Sequence, residues 1–214
     1  MPAQNQRAMA MVITGTLLIA SALNGCAMPE KNNCLHADWF SIGYNDGAKG
    51  FKSSRISQHR QACDRYGVAP DFETYESGRR QGLAEWCTPR NGYVMGAAGR
   101  KYNGVCPKNL EPAYLEAYSQ GEAVYAYQAQ ISVRQQAVQK LRAELDAIDK
   151  DIAALETERS SHAVSPRGRN TLMVQIHRRK QDRRLLLRRI SDAEQTVETM
   201  HRNLKRMKTQ NPFP

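Results

Sequence analysis

Four cysteines, Cys34, Cys63, Cys87 and Cys106, and two histidines beside them are the residues of this chain whose types and spacing could do chemistry. His36 stands two residues after Cys34, and His59 four before Cys63. Two thiolates and two imidazoles can hold zinc tetrahedrally, although the spacing between these pairs matches no familiar finger. The same cysteines can instead pair as disulfides in any of three connectivities. If Cys34 precedes one helix and Cys63 ends the next, an antiparallel helix pair brings them together. That favours Cys34–Cys63 with Cys87–Cys106, and leaves the crossed pairing of Cys34 with Cys87 and Cys63 with Cys106 open. Oxidising surroundings would select disulfides over metal.

The fifth cysteine speaks to the surroundings. Residues 8–23, AMAMVITGTLLIASAL, are apolar and uncharged, with Arg7 the one basic residue ahead of them. A membrane span needs about 20 apolar residues; this shorter run suits the core of an export signal. Leu23-Asn24-Gly25-Cys26 resembles the lipobox of bacterial lipoproteins, an aliphatic residue and two small ones before the lipidated cysteine. Leu23 and Gly25 fit it, and Asn24 departs from it. The resemblance implies cleavage after residue 25 and acylation of Cys26. With Ala27 rather than Asp next, it also implies the periplasmic face of the outer membrane. Several acyl chains suffice for stable anchoring. The alternatives are an ordinary secretory signal or an uncleaved anchor. Residues 26–33 would form a short polar tether, and export favours the disulfide reading of the four cysteines over zinc. No metal or cofactor is expected.

Residues 34–122 repeat a pattern of aromatics followed by glycines: WFSIGYNDGAKG (39–50), YESGRRQG (75–82), YVMGAAG (93–99) and YLEAYSQG (114–121). At helical spacing such glycines make a smooth stripe that admits a second helix closely. Each costs a helix about 1 kcal/mol relative to alanine, so this many need a packing reason. Turns, as Asn45-Asp46-Gly47 would suit in a hairpin, are the alternative, but no stretch alternates with period two. Residues 53–67 predict a helix capped by Ser53 or Ser54 and stopped by Gly67. Residues 70–87 predict the next, with Pro70 and Asp71 at its start.

The run from Cys34 through Trp39, Gly43-Tyr44, Asp46-Gly47 and Gly50, then Cys63, is continued by Tyr75, Gly78, Gly82-Leu83 and Cys87. Asn91-Gly92-Tyr93, Gly96, Tyr102, Gly104 and Cys106-Pro107 complete it. Over residues 30–127 this resembles a proteobacterial cell-envelope lipoprotein family with a domain of unknown function. The resemblance implies an envelope location and supplies no activity. Within the run, Trp39, Tyr44 and Asp46 are candidates for a small ligand or glycan, with Asp38 as a second carboxylate. The plainer reading makes Asp38 a helix N-cap, Asp46 a turn or surface residue, and His59 a surface residue of a polar helix. The catalytic signatures of hydrolases, metalloproteases, P-loop and dinucleotide-binding proteins are absent from the sequence, so no catalytic residue is assigned and no enzyme is expected.

From Pro112 the pattern becomes a heptad. Val124, Tyr127, Ile131, Arg134, Val138, Leu141, Leu145, Ile148, Ile152 and Leu155 recur by three and four, broken only by Arg134. SSHAVSPRG (160–168) interrupts it, and the pattern resumes from Leu172 to Met207. Folding the chain at this break sets Leu141 against Leu186 and Val138 against Ile190, with Arg134 near Ala193, Arg183 near Leu145 and Arg179 near Ile148. Residues 123–209 therefore predict an antiparallel coiled-coil hairpin of two helices of about 40 residues, with 210–214 a tail. A straight parallel dimer is the rival, disfavoured by the Pro-Gly break.

The fold expected is mainly α, a small disulfide-bonded helical domain followed by that hairpin. The charge lies in the second part. Residues 27–122 hold 12 Lys/Arg against 11 Asp/Glu, and residues 123–214 hold 18 against 10. The run Arg178, Arg179, Lys180, Arg183, Arg184, Arg188 and Arg189 is either a solvated face, partly paired with Glu144, Asp146, Asp149 and Asp151, or a basic patch. Arginine forks suit carboxylate and phosphate, so peptidoglycan, lipopolysaccharide, lipid head groups or an envelope protein are the partners expected, beside the membrane that holds the lipid anchor. Nucleic acid, which would use the same charge, is not expected outside the cell.

Overall fold

The computed structural model describes residues 31–210 and Phe213. Cys26 and the stretch expected to be an export signal lie outside the described residues. Seven α-helices follow in order: α1 Lys31–Leu35, α2 Trp39–Gly47, α3 Ile56–Cys63, α4 Phe72–Trp86, α5 Pro89–Ala97, α6 Glu111–Ser160 and α7 Pro166–Thr209. Among the described residues there is no strand, so the fold is mainly α. Short polar side chains start four of these helices. Asp38, Asp71, Thr88 and Ser165 each accept the backbone N–H three residues on. Lys31–Asn33, expected to belong to a polar tether, are helical in α1. The helix read from Ser53 begins with a 3₁₀ turn, Ser53–Arg55, without a side-chain cap, and it ends at Gly67, whose φ is +69°.

The glycine stripes pair two by two, and both pairs run parallel. A Cβ on Gly43 would lie 2.0 Å from the Tyr75 carbonyl oxygen, and one on Gly47 2.2 Å from that of Arg79. From the other side, Cβ atoms on Gly78 and Gly82 would lie 2.0 and 2.1 Å from the carbonyl oxygens of Phe40 and Tyr44. The pair α5/α6 repeats this, with Gly92 and Gly96 against Tyr114 and Tyr118, and Gly121 against Tyr93. Real Cβ atoms would force the backbones apart; glycine lets them touch.

A parallel pair needs a crossover between its members, and each crossover carries a disulfide. Cys34 in α1 joins Cys63 at the end of α3, with Cα atoms 5.5 Å apart; Cys87, just before α5, joins Cys106, 5.6 Å apart. The crossed connectivity and the zinc site built on these cysteines are thereby set aside, since the sulfurs bond one another. The domain is thus built as one unit made twice: a cysteine, a glycine-faced helix, a crossover with the second cysteine, and a partner helix. GYNDGAKG (43–50) and GYVMGAAG (92–99) occupy the same place in each. Both end on a glycine with positive φ, Gly50 at +68° under the Trp86 ring and Gly99 at +64° under the Tyr125 ring. Leu83, Cys87, Cys106 and Tyr114 form the core that joins the two units.

Helix α6 starts in this domain and leaves it without a break. Its 50 residues extend about 75 Å at 1.5 Å each, longer than the sequence pattern suggests because the heptad helix is continuous with the last glycine-faced one. Ser161–Ser165 turns the chain, and α7 returns antiparallel. Pro166 starts α7 at a position where its missing N–H costs nothing, so it opens a helix here and does not break one. Ile131, Val138, Ile152, Leu172, Ile176, Leu186, Ile190 and Leu204 are buried along the seam, while Arg134 is exposed beside it. Near the domain Met200, Leu204 and Met207 close over Val124 and Tyr93. The Phe213 ring also lies there, 6.5 Å from that of Tyr93.

Candidate functional site

Two places gather charge. The first is a buried knot around Asp46, whose side chain is 9% exposed. The Tyr75 hydroxyl and His59 Nε2 both lie 2.8 Å from Asp46 Oδ2, and Arg55 Nε stands 3.5 Å from Oδ1. Arg79 donates twice to the Phe51 carbonyl, at 3.2 and 3.0 Å, and its third nitrogen is 3.4 Å from Glu76. The Arg55 guanidinium lies 4.2 Å over the Phe51 ring. Burial, and then the bond to Asp46, holds the Tyr75 phenol well above its ordinary range.

The second helix pair shows what this knot is for. There the places of Asp46 and Arg79 are taken by Met95 and Tyr118, and the helices still touch through glycine. The charges are therefore not needed for the pairing. They fasten Phe51, Arg55 and His59, in the longer first crossover, onto α2 and α4. Asp46 and His59 are thus partners inside the fold, correcting their reading as surface residues. Tyr44 and Asp46 do not converge on one surface: the Asp46 carboxylate points into the knot, while the Tyr44 hydroxyl donates to Glu85 at 2.7 Å on an exposed face. Asp38 is the N-cap its position predicts, bonded to Ser41 N at 3.1 Å.

The second place is the basic run of α7, midway along the rod. Part of it is paired across the hairpin. Arg183 donates to Asp149 at 2.6 Å, Lys180 to Glu156 at 2.6 Å, and Arg179 lies 3.4 Å from Asp151. Arg183 and Arg179 align beside Leu145 and Ile148 yet reach acids three or four residues further along α6. Helical side chains lean toward their own N-terminus, and on α7 that direction is the C-terminal direction of its antiparallel partner. Asp146 pairs instead with Lys150 of its own helix at 2.7 Å. Glu156 was not apparent as a partner from the sequence, since its distance from Lys180 depends on this lean. Arg178, Arg184, Arg188 and Arg189 are exposed and form no ion pair among the described residues. Helix α7 carries 13 Lys/Arg against 4 Asp/Glu, and α6 carries 5 against 9. The rod therefore has one strongly positive long side and one negative one.

Residues 38–123, which take in both glycine-packed pairs, match a family described as a protein of unknown function, DUF2799. The match ends where α6 leaves the domain, so the rod lies outside it. No curated protein and no solved structure matches the chain significantly. No helix among the described residues is long and apolar enough to cross a membrane.

Proposed function

We propose that this chain is a lipid-anchored scaffold of the bacterial cell envelope, held by acyl chains on Cys26 at the periplasmic face of the outer membrane. The clamped domain stands next to the anchor, and the hairpin carries four unpaired arginines away from it to an acidic envelope partner. One observation carries this reading: α6 is a single helix shared by domain and rod. A hinge between them would let the arginines wander, whereas a continuous helix sets their distance from the clamped domain. The lipobox-like Leu23–Cys26 and the two disulfides support the exported location. Catalysis has no part in it.

The test is charge reversal in the full chain. Arg178, Arg184, Arg188 and Arg189 changed together to Glu abolish co-purification with isolated envelope fractions while the helical circular dichroism is kept. Unchanged binding in that variant, with loss in Trp39→Ala, would move the function to the glycine-rich domain and to the glycan reading.

A further inference from the structure

Val174 and Leu185 are apolar residues that the hairpin leaves uncovered, 60% and 59% exposed. Eleven residues is three turns of an α-helix, so they share one face. That face is turned away from α6, because the seam is made by Leu172, Ile176, Leu186 and Ile190. Arg178, Arg184, Arg188 and Arg189 surround Leu185 on it. Of the two acids nearby, Asp182 lies 3.9 Å from Arg179 at the side of the helix, and Asp192 comes only beyond Arg189. From Arg167 to Arg189 the outer face therefore shows cations, two branched aliphatic side chains and neutral polar residues such as Gln181, with Asp182 at its edge.

We propose that this face lies flat on the surface of an anionic phospholipid bilayer. The guanidinium groups bind lipid phosphates, and Val174 and Leu185 enter the boundary between head groups and acyl chains. Charge fixes the orientation: α7 turns toward the negative surface and the net-negative α6 away from it. The aliphatic pair favours lipid, because the acyl chains beneath the phosphates cover Val174 and Leu185 while the same phosphates bind the arginines. This inference rests on the cationic-rod reading above and names its ligand.

A fluorescent reporter tests it. The full chain carrying Leu185→Trp is reconstituted into vesicles of phosphatidylcholine, with or without phosphatidylglycerol, and its emission is compared with that of the unaltered chain. The added indole emission shifts to the blue and is quenched by brominated lipid only in the anionic vesicles. The effect is lost in about 1 M salt, where the screening length falls to about 3 Å. Each arginine changed to Gln weakens docking about five-fold, the equivalent of about 1 kcal/mol per basic residue at an anionic surface. An identical spectrum in both vesicles overturns the lipid assignment. If that indole then responds to peptidoglycan fragments, the cationic rod stands with another ligand; if it responds to neither, both readings fall.

Discussion

Tyr75 and Tyr114 occupy equivalent places in the two helix pairs, and both are fully buried. Burial pushes the Tyr114 phenol up to about 12 from an ordinary value of 10.0, and Tyr75 is raised as well, by burial and then by Asp46. A group whose folded value is raised contributes stability that is fully present below its unfolded value and is lost as pH rises through the folded one. For Tyr114 that window runs from about 10 to about 12. Alkaline titration followed by ultraviolet absorbance therefore shows Tyr75 and Tyr114 ionising well above the ordinary phenol range, together with the loss of helical circular dichroism. Ionisation of Tyr75 and Tyr114 near pH 10 with the helices intact would contradict their place in the core. Little of this was legible beforehand. Asp38 could be read as a cap because its partner is three residues away, whereas Asp46 finds His59 and Tyr75 at separations of 13 and 29, which no local pattern encodes.

The glycine spacing told that helices approach one another here, but not which ones. Four similar stripes can pair in several ways, and the parallel choice follows from crossovers long enough to return the chain. The cysteine pairing foreseen for Cys34 and Cys63 is the one found, though the tight contact is α2 with α4 and not an antiparallel neighbour. Substitution separates the close approach from mere turn chemistry. Gly43→Ala drives a Cβ to 2.0 Å from a backbone oxygen; overpacking at about 3 kcal/mol, less about 1 kcal/mol of gained helix propensity, leaves a net loss of about 2 kcal/mol. Gly67→Ala meets no atom within 4 Å and loses only about 1 kcal/mol to its left-handed backbone. Urea midpoints order the two as Gly43→Ala below Gly67→Ala; the reverse order would contradict the paired stripes. The heptad of the second half was the most legible element, because its period persists over several turns on both helices.

The chain as a whole joins a domain clamped twice by disulfides, each worth about 3 kcal/mol for loops of this length, to a rod with opposite charge on its two long sides. That charge separation is visible in the sequence only once the helix boundaries are known, since the excess is split between α6 and α7 and partly cancelled across the seam. Everything proposed for the rod presumes an exported chain fixed at its N-terminal end. The direct measurement is the intact mass of the protein purified from bacterial membranes, before and after reduction. The expected product is a chain beginning at Cys26 with acyl groups attached, which gains four hydrogens, two for each disulfide, on reduction. An unacylated chain retaining residues 1–25, with its thiols already free, would contradict it.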